Sequence, residues 1–174
     1  MISFEDINER INICLERLYS KDKELFKKND FRGVCERCLT FRFAYYLQLK
    51  FPEYCVDCDY NSSFAKRISR SGKLIKDREG TFKKRFVDII IHKRTSEEDT
   101  DFLCFEIKKW NSYNKGGYKK DEDNLKYLTS AYGYRYGFHI LLGKDLASTR
   151  IISYKRNMLN TSPLANNNLN LQQP

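Results

Sequence analysis

The stretch RFVDIII (residues 85–91), followed at residues 101–109 by DFLCFEIKK, decides how this chain is read. Both runs are apolar on successive residues rather than on alternate ones, the pattern of strands covered on both faces. Asp88 interrupts the first run, and Glu106 and Lys108 interrupt the second. An ionised group in such a place costs several kcal/mol unless a partner compensates it. Three charged groups set there mark a site. The simplest occupant that makes two carboxylates tolerable is a hard divalent cation, Mg2+ first among them.

Strand periodicity places Glu106 and Lys108 on one side of their strand, about 7 Å apart along it. The polar connection at 93–101 is long enough to bring Asp88 alongside in an antiparallel pair. Mg2+ requires the Asp88 and Glu106 oxygens to converge at roughly 2.1 Å, with the Ile107 carbonyl as a third ligand and water in the remaining positions. Mn2+ is the natural substitute. Lys108 is then placed to orient an attacking water or help deprotonate it, an arrangement suited to phosphodiester hydrolysis. The competing reading is an ordinary Glu106–Lys108 ion pair at a strand end, which accounts neither for Asp88 nor for the charge of the chain.

Upstream, Ser3 and Asp6 can cap a helix in which Ile7, Ile11, Leu15 and Leu18 recur at helical spacing. Residues 21–30 read as a solvated connection. A second helix is expected from about Val34 to Lys50, ended by Pro52. It is apolar nearly all round, with Val34, Cys38, Phe41 and Tyr45 on one face and Phe43 and Leu47 opposite, together with Glu36, so broad coverage is expected. Tyr54–Tyr60 reads as a strand with Cys55, Asp57 and Asp59 on one face and Val56, Cys58 and Tyr60 on the other. Residues 61–84 and 110–120 are expected to be mostly loop. A helix over 121–131, a buried strand over 136–142 and an edge strand over 151–154 complete the order. The fold class is α/β, a small mixed β-sheet flanked by α-helices.

A chain of 174 residues suits one domain, expected to span 1–156, with the Asn-rich 157–174 as a flexible tail. Twelve Tyr and twelve Phe supply an aromatic core. The formal net charge of +9 favours polyanionic partners, nucleic acid above all, over none. The start, MISFEDINER, has neither the basic nor the apolar part of a signal peptide, and no stretch is long and apolar enough to cross a bilayer. The expectation is a cytoplasmic protein without a membrane partner, its six cysteines present as thiols.

Asp88 after Val87, then Glu106-Ile107-Lys108, resembles the signature of the PD-(D/E)xK, or restriction-endonuclease-like, nuclease superfamily, over roughly residues 30–145. Val87 stands where the signature has proline, a position that supplies no ligand group. The resemblance implies a mixed sheet flanked by helices, and a helix glutamate, matched by Glu36, that helps complete the metal site directly or through a bound water. A salt bridge from Glu36 to Arg37, Arg42 or another basic side chain is the alternative. A narrower resemblance to small bacterial members of the superfamily covers the segments Glu36–Leu47, Val56–Asn61 and Asp121–Thr129. It departs from their pattern at Asn124, where they carry lysine. Asp59 is expected at the border of the site or simply hydrated at a strand end.

Cys35-x-x-Cys38 and Cys55-x-x-Cys58 have the spacing of a structural Zn2+ site. A helix and a strand are poor hosts for the two halves, so buried thiols are the expected state and structural Zn2+ is disfavoured. His92 lies on the Asp88 face as a strand-end residue, and His139 has no obvious neighbouring ligand. Lys66, Arg67, Arg70, Lys73, Lys76, Arg78, Lys83, Lys84 and Arg85 form the densest basic region and enter the Asp88 strand, placed either to guide a phosphate backbone or merely to be solvated. Lys115, Lys119 and Lys120 make a smaller patch, and Tyr113 and Tyr118 are candidates for stacking on unpaired bases. The leading expectation is a metal-dependent nuclease, DNA preferred to RNA on the resemblance alone, acting singly, as a homo-oligomer or with a protein partner. Its rival is a nuclease-like module that binds nucleic acid or protein without catalysis.

Overall fold

The structure, a computed structural model, describes residues 2–27, 35–61, 74–76, 81–84, 86–94, 101–109 and 115–155. It is an α/β fold around a five-stranded mixed sheet with helices on both faces.

The first helix, α1 (Phe4–Lys21), starts at a reciprocal capping box in which the Ser3 hydroxyl accepts from the Asp6 amide and the Asp6 carboxylate accepts from the Ser3 amide. Its stripe of Ile7, Ile11, Cys14, Leu15 and Leu18 is buried, as the spacing requires. A short turn of helix, α2 (Glu24–Lys27), occupies part of the expected connection. The next helix, α3 (Glu36–Lys50), packs beside α1. Broad coverage of α3 is not what the fold provides. Leu39, Phe43 and Leu47 are fully buried, but Phe41 is 63% exposed and Tyr45 and Leu49 about half exposed. One face suffices because α3 lies over the sheet with α1 on its flank only. Arg42 covers part of the open side, its guanidinium lying over the Tyr45 ring while bonding Asp22.

Strand β1 (Cys55–Tyr60) pairs antiparallel with β4 (Val87–His92), which pairs antiparallel with β5 (Asp101–Lys109) as its sequence demands. Between β1 and β4 in the chain, β2 (Leu74–Lys76) and β3 (Phe82–Lys84) form a two-stranded antiparallel sheet where loop was expected. Helix α4 (Lys115–Ala131) carries the chain over to β6 (Tyr136–Leu142), parallel to β5, and β7 (Arg150–Lys155) pairs antiparallel as the far edge. Helix α4 begins at Lys115, so the expected 110–120 loop is helical in its second half despite Gly116 and Gly117. The sheet order is β1-β4-β5-β6-β7.

Alternation sorts the sheet residues. Ile89, Ile91, Leu103, Phe105, Ile107, Phe138 and Ile140 face α1 and α3 in one core. On the other face Ile90 and Cys104 meet Leu125 and Leu128 of α4. Gly137 lets α4 come close there: a Cβ at that position would stand 3.2 Å from Leu125 and 3.3 Å from Thr129. The expected alternation fails at one place in β1. Asp59 adopts φ 48°, a left-handed conformation that Asp tolerates better than most side chains. The ladder skips it, and Tyr60 turns to the α4 face, beside His92, instead of following Val56.

The expected 1–156 domain includes all these elements, and the expected tail at 157–174 lies outside the described residues. Among the described residues no helix is long and apolar enough to cross a membrane.

Candidate functional site

The α4 face of the sheet interrupts its apolar packing at one end, where β4, β5 and β6 present Asp88, Glu106, Lys108 and His139. The antiparallel register continues from Ile89 opposite Phe105, which sets Asp88 opposite Glu106. Burial and, across this pair, the Asp88 charge raise Glu106. Asp88 Oδ2 accepts from the Ile107 amide at 2.7 Å, so the side chain itself ties the end of β4 to β5. Glu106 is almost fully buried, and the Asn124 amide of α4 donates to its Oε1 over a long 3.4 Å.

Lys108, one pleat further along β5, is half-buried and flanked by two carboxylates. Its Nζ lies 3.3 Å from Glu36 Oε1 and 3.4 Å from Asp121 Oδ2. Glu36 reaches down from the first turn of α3, and its other oxygen accepts from the Lys109 amide at 3.1 Å. The helix glutamate therefore meets the site through Lys108 and the β5 backbone; the salt bridge considered above is made to Lys108, not to Arg37 or Arg42, and Arg42 bonds Asp22. On α4, Asp121 is buried, with His139 Nε2 3.8 Å from its Oδ2. The His139 ring is fully buried under the Tyr118 ring, centroids 4.8 Å apart, and neither ring nitrogen has a hydrogen-bond partner among the described residues.

Burial dominates the electrostatics. It pushes Glu106 well above the ordinary carboxylate range, and the neighbouring Asp88 and Asp121 add to the rise. Asp88 is raised by burial against the opposing pull of the Ile107 amide and Lys108. Asp121 is pushed up to about 6 by burial and Asp88, with Lys108 opposing. Burial alone would lower Lys108, but Asp121, Glu36, Asp88 and Glu106 together outweigh it and hold the ammonium charged beyond its usual range. His139 is lowered to about 4 by burial and by Lys108, and is neutral at physiological pH.

This donor set bears on a cation directly. Two carboxyl groups set opposite one another, Glu106 buried and Asp88 half-buried, repel as anions, and a positive charge held between them relieves that repulsion. Mg2+ is held by one or two carboxylates with water completing its shell, and Asp88 and Glu106 meet that requirement. Among the described residues no group of three or more His, Cys, Asp or Glu side chains forms a denser metal cluster. The Ile107 amide belongs to Asp88; its carbonyl is the third donor the sequence suggested.

The other expected residues divide. Asp59 stands at the register position opposite Asp88 but is exposed, at the rim. Lys83 and Lys84 fall on β3, Lys84 at an exposed position. Lys66, Arg67, Arg70, Lys73 and Arg85 lie outside the described residues, as does Tyr113. Lys119 pairs with Glu122 and Asp123 on its own helix. Tyr118 covers His139 rather than standing free for a base. His92 bonds Asp57 at 2.7 Å, and Asp57 also binds Arg94, a strand-end role as expected. The expectation of buried thiols in the two Cys-x-x-Cys segments fails for Cys35, Cys38 and Cys58, which are exposed, and Cys55 is only half-buried.

Asp121 and His139 were not legible as site residues. A histidine inside the apolar run YGFHILL was the available signal for one. Asp121 was visible only as part of a resemblance, since its sequence neighbours are all charged. Asn124, where the resemblance has lysine, donates to Glu106 in place of a charge. Comparison with protein-family models, with curated proteins and with solved structures yields no match.

Proposed function

We propose that the protein is a Mg2+-dependent phosphodiesterase acting on nucleic acid, with DNA the favoured substrate, and that Asp88, Glu106 and Lys108 carry the reaction. The observation behind this reading is the placement of Asp88 and Glu106 opposite one another on paired strands, one pleat from a lysine clamped between Glu36 and Asp121. The resemblance of these residues to the PD-(D/E)xK signature, and a restriction-endonuclease-like reading of the sheet, support it.

Asp88 and Glu106, with the Ile107 carbonyl, would hold the cation, which supplies Lewis-acid stabilisation and an acidified water when bound. Asp88 keeps its oxygen fixed through the Ile107 amide. Lys108 is charged, so its part is to orient the attacked phosphate and offset charge developing there, rather than to take a proton. Glu36 and Asp121 hold that ammonium in place from opposite helices. A net charge of +9 draws a polyanion to the molecule.

The test is incubation of purified protein with single- and double-stranded DNA and RNA in Mg2+, Mn2+ or chelator. Cleavage that needs the metal and is lost in D88A and K108A is expected. Metal-dependent cleavage that persists equally in both variants would overturn the site, and binding without cleavage on all four substrates would favour the non-catalytic module.

A further inference from the structure

The two Cys-x-x-Cys segments share a spacing and nothing else. Cys55 and Cys58 lie on strand β1, where three residues span roughly 10 Å, beyond the roughly 7 Å Cα separation a disulfide can bridge. The Cys58 thiol is also pushed up to about 11 by partial burial, Asp59, Asp57 and Asp88. Cys35 and Cys38 instead make the first turn of α3. Cys35 is the N-cap, with φ −65° and ψ 127°, and its carbonyl accepts from the Cys38 amide at 3.0 Å. Residues three apart on a helical turn bring their Cβ atoms to about 5–6 Å, and the non-helical N-cap backbone has the freedom to close the remainder. Both residues are exposed on this one turn. The Arg37 and Cys38 amides hold the Cys35 thiol below its ordinary range, the setting of an attacking thiol.

We propose that Cys35 and Cys38 are a redox-active dithiol that closes to a disulfide by exchange with a small disulfide of the glutathione type. The Cys35 thiolate attacks one sulfur of the small disulfide, forming a mixed disulfide and expelling one thiolate. Cys38, losing its proton to solvent, then attacks the Cys35 sulfur and expels the second. Two protein thiols are oxidised by two electrons and one small disulfide is reduced to two thiols. The consequence for the rest of the molecule runs through Glu36, which lies between the two cysteines and grips Lys108 and the Lys109 amide. Closing the ring resets the turn from which Glu36 reaches, so the oxidised protein loosens Lys108; this second part rests on the proposed phosphodiesterase.

The experiment uses the full chain, reduced and then treated with oxidised glutathione, with free thiols counted by maleimide labelling and linkages located by mass spectrometry. The wild type is expected to fall from six free thiols to four with Cys35 linked to Cys38. C38S is expected to stop at a glutathione adduct on Cys35, and C35S to react about tenfold more slowly. A disulfide elsewhere, or adducts spread evenly over Cys35, Cys38 and Cys58, overturns the dithiol. In the same samples, metal-dependent cleavage should fall about tenfold on oxidation, recover with dithiothreitol and stay constant in the C35S/C38S double variant, the size expected for a small displacement of a positioning group. A disulfide that leaves cleavage unchanged overturns the link through Glu36. Disulfide formation in a protein that cleaves nothing in either state leaves the dithiol standing and removes the phosphodiesterase; cleavage without a disulfide does the reverse.

Discussion

The two faces of the sheet are made by the same strands and answer to different demands. Toward α1 and α3, β5 presents Leu103, Phe105 and Ile107, and the neighbouring strands match them with Ile89, Ile91, Phe138 and Ile140, all fully buried. Phe105 stacks on Phe138 at 5.2 Å and meets Phe43 of α3 edge-on at 6.1 Å. Toward α4 the same strand presents Cys104, then Glu106, then Lys108, so burial continues while polarity changes along one strand. One face holds the molecule together. The other spends part of that stability on keeping carboxylates out of water, a cost of the kind found where groups are tuned for chemistry.

Four substitutions or conditions break or sharpen this contrast. The largest effect is expected on the α4 face: if Asp88 holds the cation as proposed, D88A should lower metal-dependent cleavage about a thousandfold or more while leaving the circular-dichroism spectrum intact, since the apolar core does not include this side chain. Next, F105A on the opposite face should cost about 3–5 kcal/mol of stability in urea unfolding by opening a cavity between α3 and the sheet. K108A should slow cleavage about a hundredfold, and K108R should restore part of that rate if the ammonium acts by charge.

The smallest effect is a pH dependence of stability in metal-free protein. Asp121 is raised from 3.8 to about 6, so the folded state binds its proton more tightly than the unfolded chain does. The stability this gives is fully present below about pH 4 and is lost as the pH rises through 6, amounting to roughly 3 kcal/mol at most. Glu106, also raised, acts in the same direction. Thermal unfolding without metal should therefore show this local contribution as a higher midpoint near pH 5 than near pH 7. E106Q should reduce that difference by removing one titrating carboxyl. Mg2+ should raise the midpoint at pH 7 in the wild type and not in D88A. A metal-free protein equally stable at both pH values would mean that these carboxyls are better solvated than their burial implies.

Much of this was readable from local pattern. The capped stripe of α1, the antiparallel pairing of β4 with β5 and the shared face of Glu106 and Lys108 follow from periods of 3.6 and 2 residues, which depend only on neighbours in the chain. The misreadings have equally local causes. Two glycines made Lys115–Lys120 look like loop, but the helix they begin is held by its contact with β5, β6 and β7. Regular alternation was assumed through Asp59, whose positive φ sends Tyr60 to the other face.

The sequence by itself determined that two carboxylates and a lysine would be set among apolar residues in adjacent strands, because backbone pleating fixes which positions share a face. Only the tertiary structure decided what surrounds them: Glu36 brought across 72 positions of sequence to Lys108, Asp121 closing on the same ammonium from α4, and His139 sealed beneath Tyr118. Those contacts join elements distant in the chain, and they depend on how the helices seat on the sheet, which no local period encodes.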